Sequence, residues 1–151
     1  MATIYKKREL LDIVVEAVKE SGWNVVYLNL NYPFKIAMYK GDESYRLKII
    51  IYNITHGGKK RAADEYRIQL KEGRLAQEAG YITLILGYYD ALEVFAGFDL
   101  QKHIGIPGYS ASLQIKEGNL AAATLSGLSP SQSPYIPFSL KDIRDSRIAN
   151  A

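Results

Sequence analysis

The chain opens with the hydrophobic pattern of an amphipathic helix. Between residues 6 and 20, apolar side chains recur at three- and four-residue spacing, while most charged residues fall between them. The apolar positions are Leu10, Leu11, Val14, Val15 and Val18. Gly22 follows, and glycine commonly ends a helix because it accepts left-handed backbone angles. We therefore predict one N-terminal helix with a single buried face.

After Trp23 the pattern becomes typical of strands: apolar and polar residues alternate in several segments, and residues 81–89 form an almost continuous apolar run. Predicted strands cover residues 24–30, 34–39, 45–52, 65–70, 81–89, 92–98 and 111–115. Parallel neighbours need crossover connections of about a dozen residues or more, and no clear helix separates the strands between residues 24 and 98. The pattern favours an α+β fold whose mainly antiparallel sheet curls into a barrel.

The last part of the chain loses this periodicity. Residues 120–125 fit a short helix, and a serine- and proline-rich stretch begins at Ser126. Residues 140–148 fit at most a charged terminal helix. We predict one domain over residues 1–125, followed by a linker or tail over residues 126–151.

Composition narrows the class of protein. The 151 residues are 48% hydrophobic, which suffices for one domain with a core. The sequence has no cysteine, which excludes a disulfide scaffold, a thiolate zinc site and a cysteine nucleophile. No apolar run approaches the ~18 residues that span a bilayer, and Asp12 and Glu16 interrupt the first apolar stretch. We expect a cytoplasmic protein without a membrane partner.

Positive charge is concentrated in one segment. The net charge is only +3, yet residues 55–75 carry six basic and three acidic side chains. The densest part consists of His56, Gly57, Gly58, Lys59, Lys60 and Arg61. One interpretation is a solvated hairpin tip. The other is a loop that grips phosphates, because glycine permits close approach and adjacent cations release counterions from DNA.

The next strand carries a polar face. Glu65, Arg67 and Gln69 alternate there with apolar residues. Arginine pairs well with guanine and glutamine with adenine, so Arg67 and Gln69 are candidate base-reading residues. The alternative is that Glu65 and Arg67 pair across the sheet and Gln69 satisfies a loop.

A loop near residue 105 is a second candidate surface. Its glycines and small hydroxyl residues could line a pocket for an extruded base. The residues concerned are His103, Tyr109, Ser110 and Ser112.

The sequence gives little support for catalysis. Neither Ser110 nor Ser112 lies in a Gly-x-Ser-x-Gly turn, and two separated histidines do not form a metal-binding motif. We assign no catalytic and no metal-binding residue and expect no cofactor. The enzymatic alternative is a magnesium-dependent nuclease of the PD-(D/E)XK type, matching Gln69-Leu70-Lys71 after Asp42, Glu43, Asp64 and Glu65. The match is poor, because no Pro-Asp precedes it.

Several segments resemble N-terminal domains of restriction-endonuclease-like proteins. They are Tyr52-Asn-Ile-Thr-His-Gly-Gly-Lys-Lys-Arg-Ala-Ala-Asp-Glu-Tyr-Arg-Ile-Gln69, residues 83–87, residues 94–103 and Ser110-Ala-Ser-Leu-Gln-Ile115. The resemblance covers residues 45–118. It implies a barrel-like domain, of the pseudobarrel type found in PUA and SRA domains, that recognises DNA and accompanies a separate nuclease module. The tail after Ile115 has no counterpart in this resemblance.

The leading hypothesis is therefore a non-catalytic DNA-specificity domain of a restriction system. Its expected partners are double-stranded DNA, methylated or unmodified, and a nuclease module or subunit. Two alternatives stay open at this point: the small nuclease, which would use Mg²⁺, and an assembly domain without a nucleic-acid role.

Overall fold

The computed structural model describes residues 4–56, 65–70, 78–91, 93–98, 111–116, 128–129 and 148–150. Within these ranges the chain forms one helix and ten strands. The helix is α1 (Lys7–Glu20), and the strands are β1 (Asn24–Asn29), β2 (Phe34–Lys40), β3 (Glu43–Asn53), β4 (Thr55–His56), β5 (Glu65–Leu70), β6 (Ile82–Tyr89), β7 (Val94–Phe98), β8 (Ala111–Lys116), β9 (Leu128–Ser129) and β10 (Ile148–Asn150).

Helix α1 forms where the three- and four-residue spacing predicts it. The carboxylate of Glu9 accepts a hydrogen bond of 2.8 Å from the backbone N–H of Lys6, which satisfies a donor at the helix start. Gly22, with a φ of +95°, turns the chain into β1. The buried residues of α1 are Leu10, Leu11, Val14, Val15, Ala17 and Val18, so the predicted apolar face is confirmed.

Seven strands form a large sheet in the order β1-β2-β3-β6-β7-β10-β9. Its main part is the five strands β1-β2-β3-β6-β7. Three of their four pairings are antiparallel, and β3 pairs with β6 in parallel, from Leu47↔Ile82 to Asn53↔Tyr88. The short strands β10 and β9 extend the β7 edge by parallel pairing. The expectation of a mainly antiparallel sheet in an α+β fold is thus confirmed.

The predicted barrel is wrong. The large sheet stays open, since β1 has no strand on its outer side in the described ranges. The parallel pairing of β3 with β6 was also not expected, because the sequence predicts antiparallel neighbours between residues 24 and 98. Residues 54–81 connect these two strands, and the described part of this connection contains the strands β4 and β5. The pattern of single strands could not indicate that a strand pair serves as part of a crossover.

The strands β4, β5 and β8 form a separate three-stranded sheet, the small sheet, which is antiparallel throughout. The chain therefore alternates between layers. It builds β1–β3 of the large sheet, then β4 and β5 of the small one, returns for β6 and β7, adds β8 to the small sheet, and ends in β9 and β10.

Helix α1 covers one face of the large sheet. The apolar residues of this face alternate along β2, β3 and β6 and pack with the buried side of the helix in one core cluster. The sheet residues in the cluster are Phe34, Ile36, Met38, Leu47, Ile49, Ile51, Leu84, Leu86, Tyr88 and Phe95. Trp23, at the turn between α1 and β1, is 6% exposed and joins them.

The small sheet packs on the opposite face, at Gly87 of β6. A Cβ at this position would lie 2.6 Å from Cγ1 of Ile54 and 2.7 Å from Cγ2 of Ile68, distances that atoms in van der Waals contact do not reach. Ile54 and Ile68 are both almost completely buried. Glycine at position 87 therefore allows the two sheets to approach closely.

The segment before α1 is tied to the C-terminal ends of the parallel strands β3 and β6. The backbone N–H of Tyr5 donates to Oδ1 of Asn53, and Nδ2 of Asn53 donates to the carbonyl of Tyr5, both at 2.9 Å. The Tyr5 hydroxyl donates to Oδ1 of Asp90 at 2.5 Å. This hydrogen bond to Asp90, followed by desolvation, raises the pKa of Tyr5 from 10.0 to about 12.

In the part of the chain that the structure describes, no helix has the length and apolar character needed to cross a membrane.

Candidate nucleic-acid interface

The basic segment joins two paired strands. Thr55 of β4 is the register partner of Arg67 in β5, and His56 is the partner of Tyr66. Residues 57–64 therefore form the link of a β-hairpin. The predicted phosphate-gripping residues Gly57, Gly58, Lys59, Lys60 and Arg61 belong to this link and lie outside the described residues. The contact with phosphates stays a prediction.

The polar positions of β5 and β8 lie side by side. Arg67 is the register partner of Gln114, Gln69 of Ser112, and Glu65 of Lys116. Directly opposed residues of an antiparallel pair belong to the same face of the sheet. Arg67 and Gln69 of the first candidate surface and Ser112 of the second therefore belong to one sheet face. The alternative that Glu65 and Arg67 pair with each other stays open, because the register gives only the backbone partner of Glu65, which is Lys116.

This face points away from the large sheet. Alternation along β5 puts Tyr66 and Ile68 on one side of the strand and Arg67 on the other. Ile68 packs at Gly87, and the ring of Tyr66 lies 5.1 Å from that of Tyr89, so their side is the inner one. Arg67 consequently belongs to the outer side. It is half-buried, with its Nε atom enclosed.

Aromatic rings fix the base of the hairpin on the large sheet. The His56 ring contacts the ring of Tyr66 edge-on, with centroids 5.4 Å apart, and Tyr66 in turn contacts Tyr89 at the end of β6. His56 itself is exposed. The aromatic contacts therefore hold the start of the basic link at a defined place on the molecule.

The remaining candidate residues either lie outside the described residues or are described by their backbone alone. His103, Tyr109 and Ser110 lie outside the described residues, and Ser112 is placed by its backbone register alone. The pocket for an extruded base remains a prediction.

The structure adds a charged cluster that the sequence did not single out. On the face opposite α1, Nζ of Lys35 lies 2.6 Å from Oε2 of Glu78, and Nζ of Lys48 lies 3.4 Å from Oε1 of the same carboxylate. The hydrogen bond between Lys35 and Glu78 raises the pKa of Lys35 and lowers the pKa of Glu78. Lys35 also lies over the ring of Tyr81, at 4.6 Å from its centroid. We call Lys35, Lys48 and Glu78 the lysine–glutamate cluster.

The sequence contained only a weak signal for this cluster. Arg46 and Lys48 alternate with apolar residues in β3, which indicates a partly polar second face. Lys35 and Glu78 are 43 residues apart, and no pattern along the chain relates them. Their proximity depends on the turn before β6, where the backbone N–H of Tyr81 donates to the carbonyl of Glu78.

The described residues give no metal centre. No group of three or more histidine, aspartate or glutamate residues gathers there in an arrangement that could hold an ion. Asp42 and Glu43 are exposed at the turn between β2 and β3. Asp64 and Lys71, which the nuclease alternative also requires, lie outside the described ranges.

Comparison with protein families places the chain in a methylase-associated class. A family model matches residues 45–136, which is more than half of the chain and includes the small sheet together with β6 and β7. The chain is a member of the methylase-associated X1 family, MTaX1. The family description points to a restriction–modification context. No curated protein and no solved structure matches the chain.

Proposed function

We propose that this chain is a DNA-recognition domain that works with a methylase or nuclease module of a restriction–modification system in the cytoplasm. One observation carries the proposal. The register of the small sheet joins the polar positions of β5 and β8 into one outward face, at the base of a hairpin whose link carries three adjacent cations. Membership of a methylase-associated family supports the context.

The proposed mechanism divides the contacts between two groups. Lys59, Lys60 and Arg61 bind phosphates and set the register of the protein on the duplex, with His56, Gly57 and Gly58 at the start of the link. Arg67 and Gln69 contact base edges in the groove that lies over the small sheet. Phosphate contacts supply affinity for any sequence, whereas base contacts supply specificity.

A base-modification sensor is the finer part of the proposal. His103, Tyr109, Ser110 and Ser112 would form its pocket. The supporting observation is that Ser112 is the register partner of Gln69, which places the end of this segment next to the proposed base-reading strand. Flipped bases are read in such pockets by stacking and by hydrogen bonds to their polar edge.

The experiment is a fluorescence-anisotropy titration of the full chain with matched unmethylated and methylated duplexes at several salt concentrations. A variant with Lys59, Lys60 and Arg61 changed to alanine removes the three cations of the link. We expect the slope of log K against log salt concentration to become about 2 to 3 less negative, because each lost phosphate contact contributes about 0.9. Affinity falls for all sequences.

A matched control removes the same charge from elsewhere. Lys6, Lys19 and Lys40 are exposed and lie on or beside the helix-bearing side, so their triple alanine variant changes the net charge equally. The proposal requires the control to keep nearly the wild-type slope. Equal losses in both variants would mean that only the overall charge matters, and flat titrations for the wild-type chain would remove DNA as the partner.

Two further readouts address the alternative functions. Cleavage of the duplex on adding Mg²⁺ would favour the nuclease. Assembly has one observation in its favour, because the edge strand β1 exposes Val26, Tyr27 and Leu28. An oligomer seen by light scattering, without any DNA binding, would favour that function.

A further inference from the structure

The lysine–glutamate cluster carries more positive charge than its carboxylate neutralises. Two ammonium groups share the single carboxylate of Glu78, one at each oxygen. Arg46, two residues before Lys48 in β3, lies on the same face and is exposed. Among the described residues, this region therefore has an excess of positive charge that favours binding of an anion.

A buried hydroxyl adjoins the cluster. Lys35, Lys48 and Thr83 form one row across β2, β3 and β6, since Lys35 is the register partner of Lys48 and Lys48 of Thr83. Thr83 is only 6% exposed, and its Oγ1 makes no hydrogen bond to any residue that the structure describes. A buried hydroxyl without a partner costs about 1–3 kcal/mol. Such a group in a natural protein is often explained by a ligand, an ion or a water molecule that satisfies it.

The carboxylate of Glu78 resembles a phosphate group in the way it meets the two lysines. Each oxygen accepts from one lysine, and a phosphate group presents oxygens of the same charge and acceptor character to the same donors. The side chains remain accessible, with 22% of each lysine and 36% of Glu78 exposed to solvent. An incoming anion can therefore reach the two ammonium groups.

We propose that Lys35, Lys48 and Thr83 form a binding site for a phosphate of the DNA backbone, and that Glu78 occupies this site until DNA replaces it. The inference rests on the proposed function, because DNA supplies the phosphate. It adds a second contact surface, on the same face of the large sheet as the small sheet.

The decisive variant is Glu78→Gln. It keeps the size of the side chain and removes the charge that competes with phosphate. The proposal expects DNA affinity to rise about threefold to tenfold at low salt, because no carboxylate competes with the phosphate, while the salt slope stays close to that of the wild-type chain, because the same phosphate is bound in both complexes. The Lys48→Ala and Thr83→Val variants should bind DNA more weakly than the wild-type chain. Glu16→Gln on α1 makes the same change in net charge at an exposed position on the other face and should leave affinity nearly unchanged.

Stability separates this role from that of a simple ion pair. Loss of the carboxylate should lower the unfolding temperature of the Glu78→Gln variant while its DNA affinity rises. If the cluster is only a structural ion pair, both quantities fall together or affinity does not change, and the proposal is wrong.

Two further outcomes are distinguishable. If wild-type protein binds DNA and loses affinity in the hairpin-link variant, but Glu78→Gln binds no more tightly, this inference fails and the proposed function stands. If no variant binds DNA, both fail. Thermal-shift titration with inorganic phosphate forms a separate arm: stabilisation by phosphate without any DNA binding would assign the site to a free anion and would overturn the DNA proposal.

Discussion

Single residues decide where the layers of this protein meet. Tyr5 joins the chain before α1 to the turn after β6, and Gly87 allows the small sheet to approach the large one. Neither residue is conspicuous in the sequence, because tyrosine occurs 12 times and glycine 12 times. Their roles come from partners that lie far away along the chain.

The Tyr5 hydroxyl should lose its proton at a higher pH than the hydroxyl of an ordinary tyrosine. Its hydrogen bond to Asp90 raises its pKa to about 12. The sign follows from linkage: the contribution to stability is complete below pH 10 and is lost as the pH rises towards 12. Ultraviolet titration of tyrosinate should show a last step near pH 12 that disappears in Tyr5→Phe. The variant Tyr39→Phe removes an exposed tyrosine and should keep that step.

Gly87 should tolerate no side chain. Alanine would place Cβ against Ile54 and Ile68, and overpacking of this kind costs about 1–3 kcal/mol. Urea unfolding of Gly87→Ala, Ile54→Ala and the double variant forms a double-mutant cycle. Because Ile54→Ala removes the two Ile54 atoms that lie within 3.0 Å, the double variant should lose less stability than the sum of the single ones. Strict additivity would mean that the two residues do not meet.

At the scale of elements, local sequence patterns predict individual helices and strands but not how the strands pair. The spacing of Leu10, Leu11 and Val14 predicts α1. The alternation along residues 45–52 and the almost continuous apolar run of residues 81–89 predict β3 and β6 nearly to their ends. Strands β4, β9 and β10 have only two or three residues, too few for a period to be visible. The parallel contact between β3 and β6 also escapes the sequence, since it depends on how residues 54–81 cross the sheet.

The candidate site was predictable to the same extent. The alternation of Arg67 and Gln69 was visible along β5, and the three cations of the hairpin link were visible as a run. The adjacency of Gln69 and Ser112 was not, because it comes from a strand pairing over more than 40 residues. The contact between Lys35 of β2 and Glu78 was not predictable either, because the two residues are 43 positions apart in the chain.

At the scale of the whole molecule, the stability of the protein should depend on pH through the ion pair between Lys35 of β2 and Glu78 in the turn before β6. Lys35 lowers the pKa of Glu78, so their interaction stabilises the protein above pH 4.5 and is lost as the pH falls through the lower pKa of the folded state. Glu78 in turn raises the pKa of Lys35, so the alkaline loss begins only above pH 10.5.

Urea unfolding at a series of pH values should therefore show a weaker acid dependence for Glu78→Gln than for the wild-type chain. Glu16→Gln is the control at an exposed position of α1. If the wild-type and Glu78→Gln curves run parallel down to pH 3, the ion pair with Lys35 contributes nothing to stability in solution.

Because the chain alternates between two sheets, the order of the strands determines when each sheet can form during synthesis and which fragments keep the small sheet whole. Strand β5 gains its second neighbour, β8, only after β6 and β7 have been synthesised. The small sheet therefore becomes complete late during translation, after most of the large sheet. A fragment that stops at β7 leaves β5 with an unpaired edge, which is prone to aggregation. The shortest chain that retains the whole small sheet must extend through Lys116.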